Sequence, residues 1–195
     1  HQTRPAFGGN IMATIMTPNH RPQMATVRPK VFKMTPPDPK RKGETLLEAL
    51  KLVTADTKIV RVERNAANVN IAEADIIVAG GRGLKKAENL EQLKKLAELL
   101  GGVVGVSRAC VDAGWISAAH QVGQTGKTVC PKIYVAFGIS GAIQHLEGMR
   151  GSDTIIAVNN DPNASIFGVA DLGIVGDLFE ILPMLIEAVE AKLEN

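Results

Sequence analysis

From residue 44 onward the chain alternates short apolar runs with amphipathic stretches, and the apolar runs end on small or polar clusters. Runs this short, separated by segments of helical length, do not pair as hairpins. They specify a mostly parallel sheet with helices laid across its faces. Residues 58–63 (KIVRVE) read as a strand by alternation, and residues 74–79 (ADIIVA) as a buried parallel strand running into Gly80, Gly81, Arg82 and Gly83. Further strands are expected at residues 103–106, 133–137, 154–158 and 172–175. Leu90, Leu93, Leu96, Ala97 and Leu100 recur at spacings of three and four, which is one helix face, and Gly101 and Gly102 stop that helix. Helices are also expected at residues 140–148, capped by Ser140, and at residues 177–193, capped by Gly176 or Asp177. The fold class is therefore α/β: five parallel strands in a doubly wound, Rossmann-like sheet, with its ligand at the carboxyl ends of the strands.

Residues 1–42 have a different texture. They carry eight Lys or Arg against one acid, Asp38, and seven of the ten prolines, whereas residues 43–195 carry fourteen basic and nineteen acidic side chains. The two parts are thus +7 and −5. Prolines at this density argue against a compact core and against regular pairing. The expected division is a basic, proline-rich arm over 1–42 and a ligand-binding domain over 43–195. With Phe32 the single aromatic after Phe7, and no adjacent basic residues before Lys40, Arg41 and Lys42, the arm suits a protein surface better than nucleic acid. The chain opens on His1 with no charged-then-apolar leader behind it, which points to a start inside a longer protein. The longest uncharged stretch, residues 133–146, is broken by Gly138, Ser140, Gly141, Gln144 and His145, so no membrane span is expected. Two cysteines, Cys110 and Cys130, exclude a disulfide framework and suit a reducing compartment.

The residues that follow the strands carry the chemistry. Residues 123–128 (GQTGKT) resemble the end of a phosphate-binding loop, but the position five before Gly126 is Gln121 rather than glycine, and no strand leads in. Neither Gly80–Gly83 nor Gly138–Gly141 has the G-x-G-x-x-G spacing of a dinucleotide fingerprint. The turn Gly138, Ile139, Ser140, Gly141, Ala142 and Ile143 could expose the first amides of a helix to a phosphate, or its small residues could simply let helix and strand pack closely. Arg108 follows a wholly apolar strand; a fixed cation there would hold an anion such as a pyrophosphate or a reduced flavin, the alternative being a surface arginine. His145 is either a satisfied structural residue or part of the site. Cys110 reads as a buried filler rather than a reactive thiol. His120 and His145 share no ligand spacing with a carboxylate or thiol, so no metal is expected. No nucleophile elbow and no carboxylate pair is present, and the pattern reads as a cofactor cradle.

Taken in order and spacing, residues 80–83 (GGRG), 107–115 (SRACVDAGW), 121–128 (QVGQTGKT), 138–145 (GISGAIQH) and 171–177 (DLGIVGD) resemble the FAD domain of the electron-transfer flavoprotein alpha subunit. Residues 3–15 (TRPAFGGNIMATI) resemble the last part of that family's N-terminal domain, so the resemblance spans the chain with most of the front domain missing. Cys110 and Glu147 depart from the small apolar residues expected there, and Asn160 from a common lysine.

The resemblance implies FAD as the cofactor, a partner beta subunit, and a role as a carrier of electrons rather than an enzyme with its own small-molecule turnover. Electrons would come from flavoprotein dehydrogenases such as acyl-CoA dehydrogenase, in fatty acid oxidation, and pass to a quinone-linked oxidoreductase or other acceptor. Some members bifurcate electrons from NADH, which these residues do not decide. The compartment implied is cytoplasm in a bacterium or mitochondrial matrix in a eukaryote. By match, Arg82, Ser107, Gln124, Ser140, Gly141, Asn159 and Asp177 would hold phosphate, ribose or adenine, with Leu178 beside them. Arg108, Thr125 and His145 would surround the isoalloxazine ring: Thr125 donating to N5, Arg108 and His145 offsetting charge near N1 and O2. Val122, Gly123, Ala142, Ile143 and Gln144 would supply backbone and shape. Read without the resemblance, the same topology also fits an NAD(P)-binding domain of transhydrogenase or thiamine-enzyme type, or an interaction module without a cofactor.

Overall fold

A computed structural model describes residues 1–5, 11–27, 29–30, 32, 34–49, 57–62 and 70–193. The chain divides into two units, His1–Val31 with Val69–Asn195, and Phe32–Asn68.

The first unit is built on a five-stranded parallel sheet. Its strands are β3 (Ile76–Gly80), β4 (Val103–Val106), β5 (Ile133–Phe137), β6 (Thr154–Asn159) and β7 (Leu172–Val175), in the spatial order β4-β3-β5-β6-β7. All five lie where the apolar runs predicted them. The register pairs Val78 with Val104 on one side and with Val135 on the other, and Val135 in turn with Ile156. Strand order reverses once, between β3 and β5, so the crevice of a doubly wound sheet falls there.

Residues alternate between the two faces of the sheet. Val78, Val106, Val135, Phe137 and Val158 pack under α1 (Leu90–Leu99) and α4 (Leu178–Leu193), which contribute Leu93, Leu96, Leu182 and Ile186. Ile77, Ala79, Tyr134, Ala136 and Ala157 form the opposite layer with Ile71, Val122, Val129, Ile139, Met149 and Ile166. α2 (Arg108–Asp112) adds Cys110 to the first layer, whereas the second is closed mainly by loops and by α3 (Ile143–Leu146), which contributes Leu146. α1 ends before Gly101 as its periodicity predicted. α4 is capped by Asp177, whose Oδ1 accepts from the Phe179 amide at 2.9 Å.

This first unit departs from the expected pattern in two places. The predicted helix over 140–148 is only the four residues of α3, with Ala142 rather than Ser140 at its cap position and no side-chain cap bond. Gly141, at φ +85°, breaks the run before it starts. The front segment does pair regularly: β1 (Gln2–Pro5) and β2 (Met12–Ile15) form an antiparallel pair with Gln2 opposite Ile15 and Pro5 opposite Met12. Six of the seven prolines lie from Pro18 onward, and Pro5 occupies the final rung, so none interrupts the ladder. Lys30 ties this part of the chain to the sheet through 2.6 Å and 2.8 Å bonds to the Asp75 carboxylate and the Ala74 carbonyl.

The second unit contains no helix or strand among its described residues. Residues 58–62 therefore do not form the strand that their alternation predicted, and Glu63 lies outside the described residues. Alternation makes a strand only where a neighbour covers one face, and Ile59, Val60 and Val62 are all exposed. Among the described residues no helix is long and apolar enough to cross a membrane.

Candidate functional site

The loops after β3 and β5 meet backbone to backbone at the point where strand order reverses. The Gly81 amide donates to the Phe137 carbonyl at 2.9 Å and the Gly83 amide to the Gly138 carbonyl at 3.1 Å. A Cβ on Gly81 would stand 2.3 Å from the Gly138 oxygen, so no side chain fits between the loops. The other strand ends are stitched to this pair. The Ser107 amide donates to the Gly80 carbonyl at 3.0 Å, the Gly138 amide to the Val158 carbonyl at 2.9 Å, and the Gly176 amide to the Asn159 carbonyl at 3.0 Å. Asn159 is buried, and its Nδ2 donates to the Ile139 carbonyl at 2.9 Å while its Oδ1 accepts from the Asp161 amide at 3.0 Å. The result is one continuous rim carrying Arg82, Ser107, Ser140, Asn159 and Asp177.

Residues 121–127 add a second wall. The Val122 amide donates to the Val106 carbonyl at 2.9 Å, and the Gln124 amide to the Gln144 carbonyl at 2.7 Å, seating this loop on α3. Gly123 has φ +142°, and a Cβ on it would stand 2.9 Å from the Gln144 oxygen. Only glycine reconciles that conformation with that contact. No helix follows Lys127, so the segment is not a phosphate-binding loop of the strand-loop-helix kind.

Three polar side chains in this wall have defined partners. Gln121, buried, donates from Nε2 to Thr125 Oγ1 at 2.9 Å. With its oxygen accepting, the exposed Thr125 hydroxyl keeps its hydrogen for another group. His145 is 7% exposed, and its Nε2 lies 3.0 Å from the hydroxyl of Tyr134, which is fully buried. His145 Nδ1 is buried and makes no hydrogen bond of ordinary geometry. Burial lowers the His145 pKa to about 4, partly offset by the adjacent Val122 backbone, so the ring is neutral near pH 7. Burial also raises the Tyr134 pKa, keeping its hydroxyl protonated.

The cations stand further out. Arg108 begins α2 and its Nε bonds Asp112 Oδ2 at 3.2 Å, with both side chains well exposed, so this pair contributes little and leaves the guanidinium able to turn. Arg82, Lys85, Asp112 and Trp115 border an open cleft of about 610 Å³. Val122 and Leu178 place their side chains in the core and leave only backbone to the rim, whereas Ala142, Ile143 and Gln144 are exposed on it. Cys110 is buried, as expected of a filler, with Sγ 3.5 Å from the Gly80 carbonyl. Among the described residues no cluster of metal ligands occurs.

Gln121 and Tyr134 were not among the residues expected to matter. Gln121 carried a signal, a polar residue four before Thr125 and next to a buried valine. Tyr134 carried only its rarity, as the single tyrosine of the chain in an otherwise apolar strand.

Residues 70–150 match the model of the electron transfer flavoprotein FAD-binding domain, and residues 1–53 match the electron transfer flavoprotein domain. The electron transfer flavoprotein subunit alpha of Thermoanaerobacterium thermosaccharolyticum is 57% identical over 192 residues, covering 97% of this chain and 58% of that protein. The subunit alpha of Megasphaera elsdenii is 58% identical over 195 residues with the same coverage. A protein of Anaerotignum propionicum named acryloyl-CoA reductase electron transfer subunit beta is 49% identical over 201 residues, covering 96% of this chain and 53% of that protein. The chain thus spans between half and three-fifths of the length of these relatives.

Proposed function

The chain belongs to the electron transfer flavoprotein family, alpha-subunit branch, and on that premise we propose that it is an FAD-binding electron carrier working with a beta subunit. FAD is the cofactor of the domain that residues 70–150 match. The observation that carries the reading is the coincidence of that match with the rim at the carboxyl edge of the sheet, where the buried Nδ1 of His145 makes no hydrogen bond of ordinary geometry. The residues present fit the cofactor: Arg82 and Lys85 border an open cleft beside the glycine loops, where an anionic phosphate would meet positive charge, and the second wall supplies an oriented hydroxyl.

In this proposal Arg82, Ser107, Gln124, Ser140, Gly141, Asn159 and Asp177 hold the ADP half. Asn159 does so as a buried tie that fixes the Ile139 loop, and Leu178 as part of the floor. Arg108, Thr125 and His145 surround the isoalloxazine, on a wall shaped by Val122, Gly123, Ala142, Ile143 and Gln144. Bound there, FAD supplies reversible one- and two-electron chemistry. Thr125 donates a hydrogen bond because Gln121 already occupies its oxygen. Arg108 brings a permanent positive charge to the rim. His145, neutral and buried, contributes a hydrogen bond rather than a charge. The division into an arm over 1–42, carrying part of the family's front domain, and an FAD-binding domain over 43–195 belongs to the same proposal.

The wider role follows the family. Electrons arrive from a flavoprotein dehydrogenase and leave to a quinone-linked or other acceptor. The Anaerotignum propionicum relative, named for acryloyl-CoA reductase, supports a flavoprotein acting on acyl-CoA as one of the two. The test is reconstitution: the chain, FAD and a beta subunit from a close relative, with an acyl-CoA dehydrogenase as donor and a dye as terminal acceptor. Dye reduction that requires the chain is expected. A flavin-loaded complex that the dehydrogenase cannot reduce would contradict the role.

A further inference from the structure

Tyr134 lies in the middle of the sheet, fully buried, and among the described residues its hydroxyl has one hydrogen-bond partner, His145 Nε2 at 3.0 Å. The two rings are tilted by 60° with centroids 6.2 Å apart, so hydroxyl and imidazole meet edge on rather than stacked. A neutral imidazole carries hydrogen on one nitrogen only. If Nε2 carried it, that N–H would donate to the tyrosine oxygen. The tyrosine hydrogen would then have no acceptor, and Nδ1 would be a buried acceptor with no donor: two buried groups left unmade. If Tyr134 donates to Nε2, the hydrogen resides on Nδ1, where it faces the Val122 backbone without ordinary hydrogen-bond geometry, and this N–H is the one poorly satisfied group of the pair. The second arrangement leaves fewer buried groups unsatisfied and is favoured.

We propose that Tyr134 is a positioning residue: its buried hydroxyl donates to His145 Nε2, fixing the imidazole with its hydrogen on Nδ1 and presenting that N–H, beside the Val122–Gly123 turn, as a donor to the flavin. The flavin half rests on the proposed function; the assignment of the hydrogen does not. Histidine and tyrosine sit on different elements, α3 and β5, so the bond also fixes the ring against the sheet rather than leaving it to a four-residue helix. The burial that keeps both groups uncharged near pH 7 is consistent with this arrangement.

The experiment uses the full chain labelled with ring-nitrogen-15 histidine, with and without FAD, in long-range proton–nitrogen correlation spectra at pH 7.5. His145 is identified among the four histidines by the signal lost in His145→Asn. The expected result for the wild-type chain is a neutral ring with hydrogen on Nδ1, and a shift of that nitrogen when FAD binds. In Tyr134→Phe the hydrogen should move toward Nε2, and FAD affinity should fall roughly fivefold, the equivalent of about 1 kcal/mol for one neutral hydrogen bond. A wild-type ring with hydrogen on Nε2 overturns the proposal even if Tyr134→Phe does not fold. An unchanged hydrogen position, or unchanged FAD affinity, in a folded Tyr134→Phe also overturns it. If the wild-type chain takes up no FAD while hydrogen sits on Nδ1, the flavin reading fails and the tyrosine–histidine assignment stands.

Discussion

Lowering the pH from 7.5 to 4.5 should cost this fold roughly 2 to 3 kcal/mol through His145 alone. The imidazole is held to a pKa of about 4 by burial, against 6.5 for an exposed histidine. At pH 7.5 neither the folded nor the unfolded chain protonates this ring, and its contribution is complete. As the pH falls through 6.5 the unfolded state takes up a proton that the folded state refuses, so stability declines. The decline levels off below about 4, where the folded ring protonates as well. A gap of 2.5 pKa units at 1.36 kcal/mol each sets a limit of about 3 kcal/mol, most of it lost by pH 4.5. Carboxylates titrate in the lower part of the same range, so the measurement is a difference: urea unfolding at pH 7.5 and 4.5, without FAD, for the wild-type chain and for His145→Gln, which keeps a polar group but cannot titrate. The wild-type loss should exceed that of the variant by roughly 2 to 3 kcal/mol. Equal losses would show that His145 is not buried and neutral, and the hydrogen-bonding role given to it would fall.

Three further outcomes are expected. Arg108→Ala should lower the first reduction potential of bound FAD, by roughly 60 mV for each tenfold loss of stabilisation, with Arg108→Lys recovering part; spectroelectrochemical titration at matched flavin occupancy reads this, and an unchanged potential would make Arg108 a surface residue. Gly81→Ala places a Cβ 2.3 Å from the Gly138 oxygen, so the two loops must separate. Its FAD affinity should drop at least tenfold with the far-UV spectrum retained, and wild-type affinity would refute the packing of the rim. Brief trypsin treatment should cut at the exposed Lys40, Arg41 and Lys42 and leave flavin bound; loss of flavin on cutting would show that residues 1–42 close the site.

The sheet was legible because its evidence is redundant: each strand is an apolar run, each is followed by a rim residue, and periods of two and of three to four do not mimic one another. Four of the five strands begin where their runs begin, and β3 begins two residues later at Ile76. Purely local patterns are a poorer guide. Residues 58–62 alternate as well as any strand, but pairing is a property of the neighbour, which alternation does not report. Residues 140–148 have an apolar helical period, but Gly141 takes a φ of +85° that no such period can predict. In the front segment the position of the prolines, not their number, decides whether strands can pair. The rim was visible in outline as polar residues after strands, yet the bonds that tune it join distant positions: Gln121 to Thr125 around a turn, and Tyr134 on β5 to His145 on α3. A lone buried tyrosine gives no sequence sign of which histidine it meets.

Whether the rim binds a flavin is decided by the visible spectrum of the purified 195-residue chain after incubation with FAD and removal of the excess. Retained flavin bands, shifted from those of free FAD, are expected, with release on denaturation of FAD rather than FMN, in keeping with the FAD-binding domain that residues 70–150 match. A chain that stays colourless with the beta subunit also present, or one that yields FMN alone, would contradict that expectation.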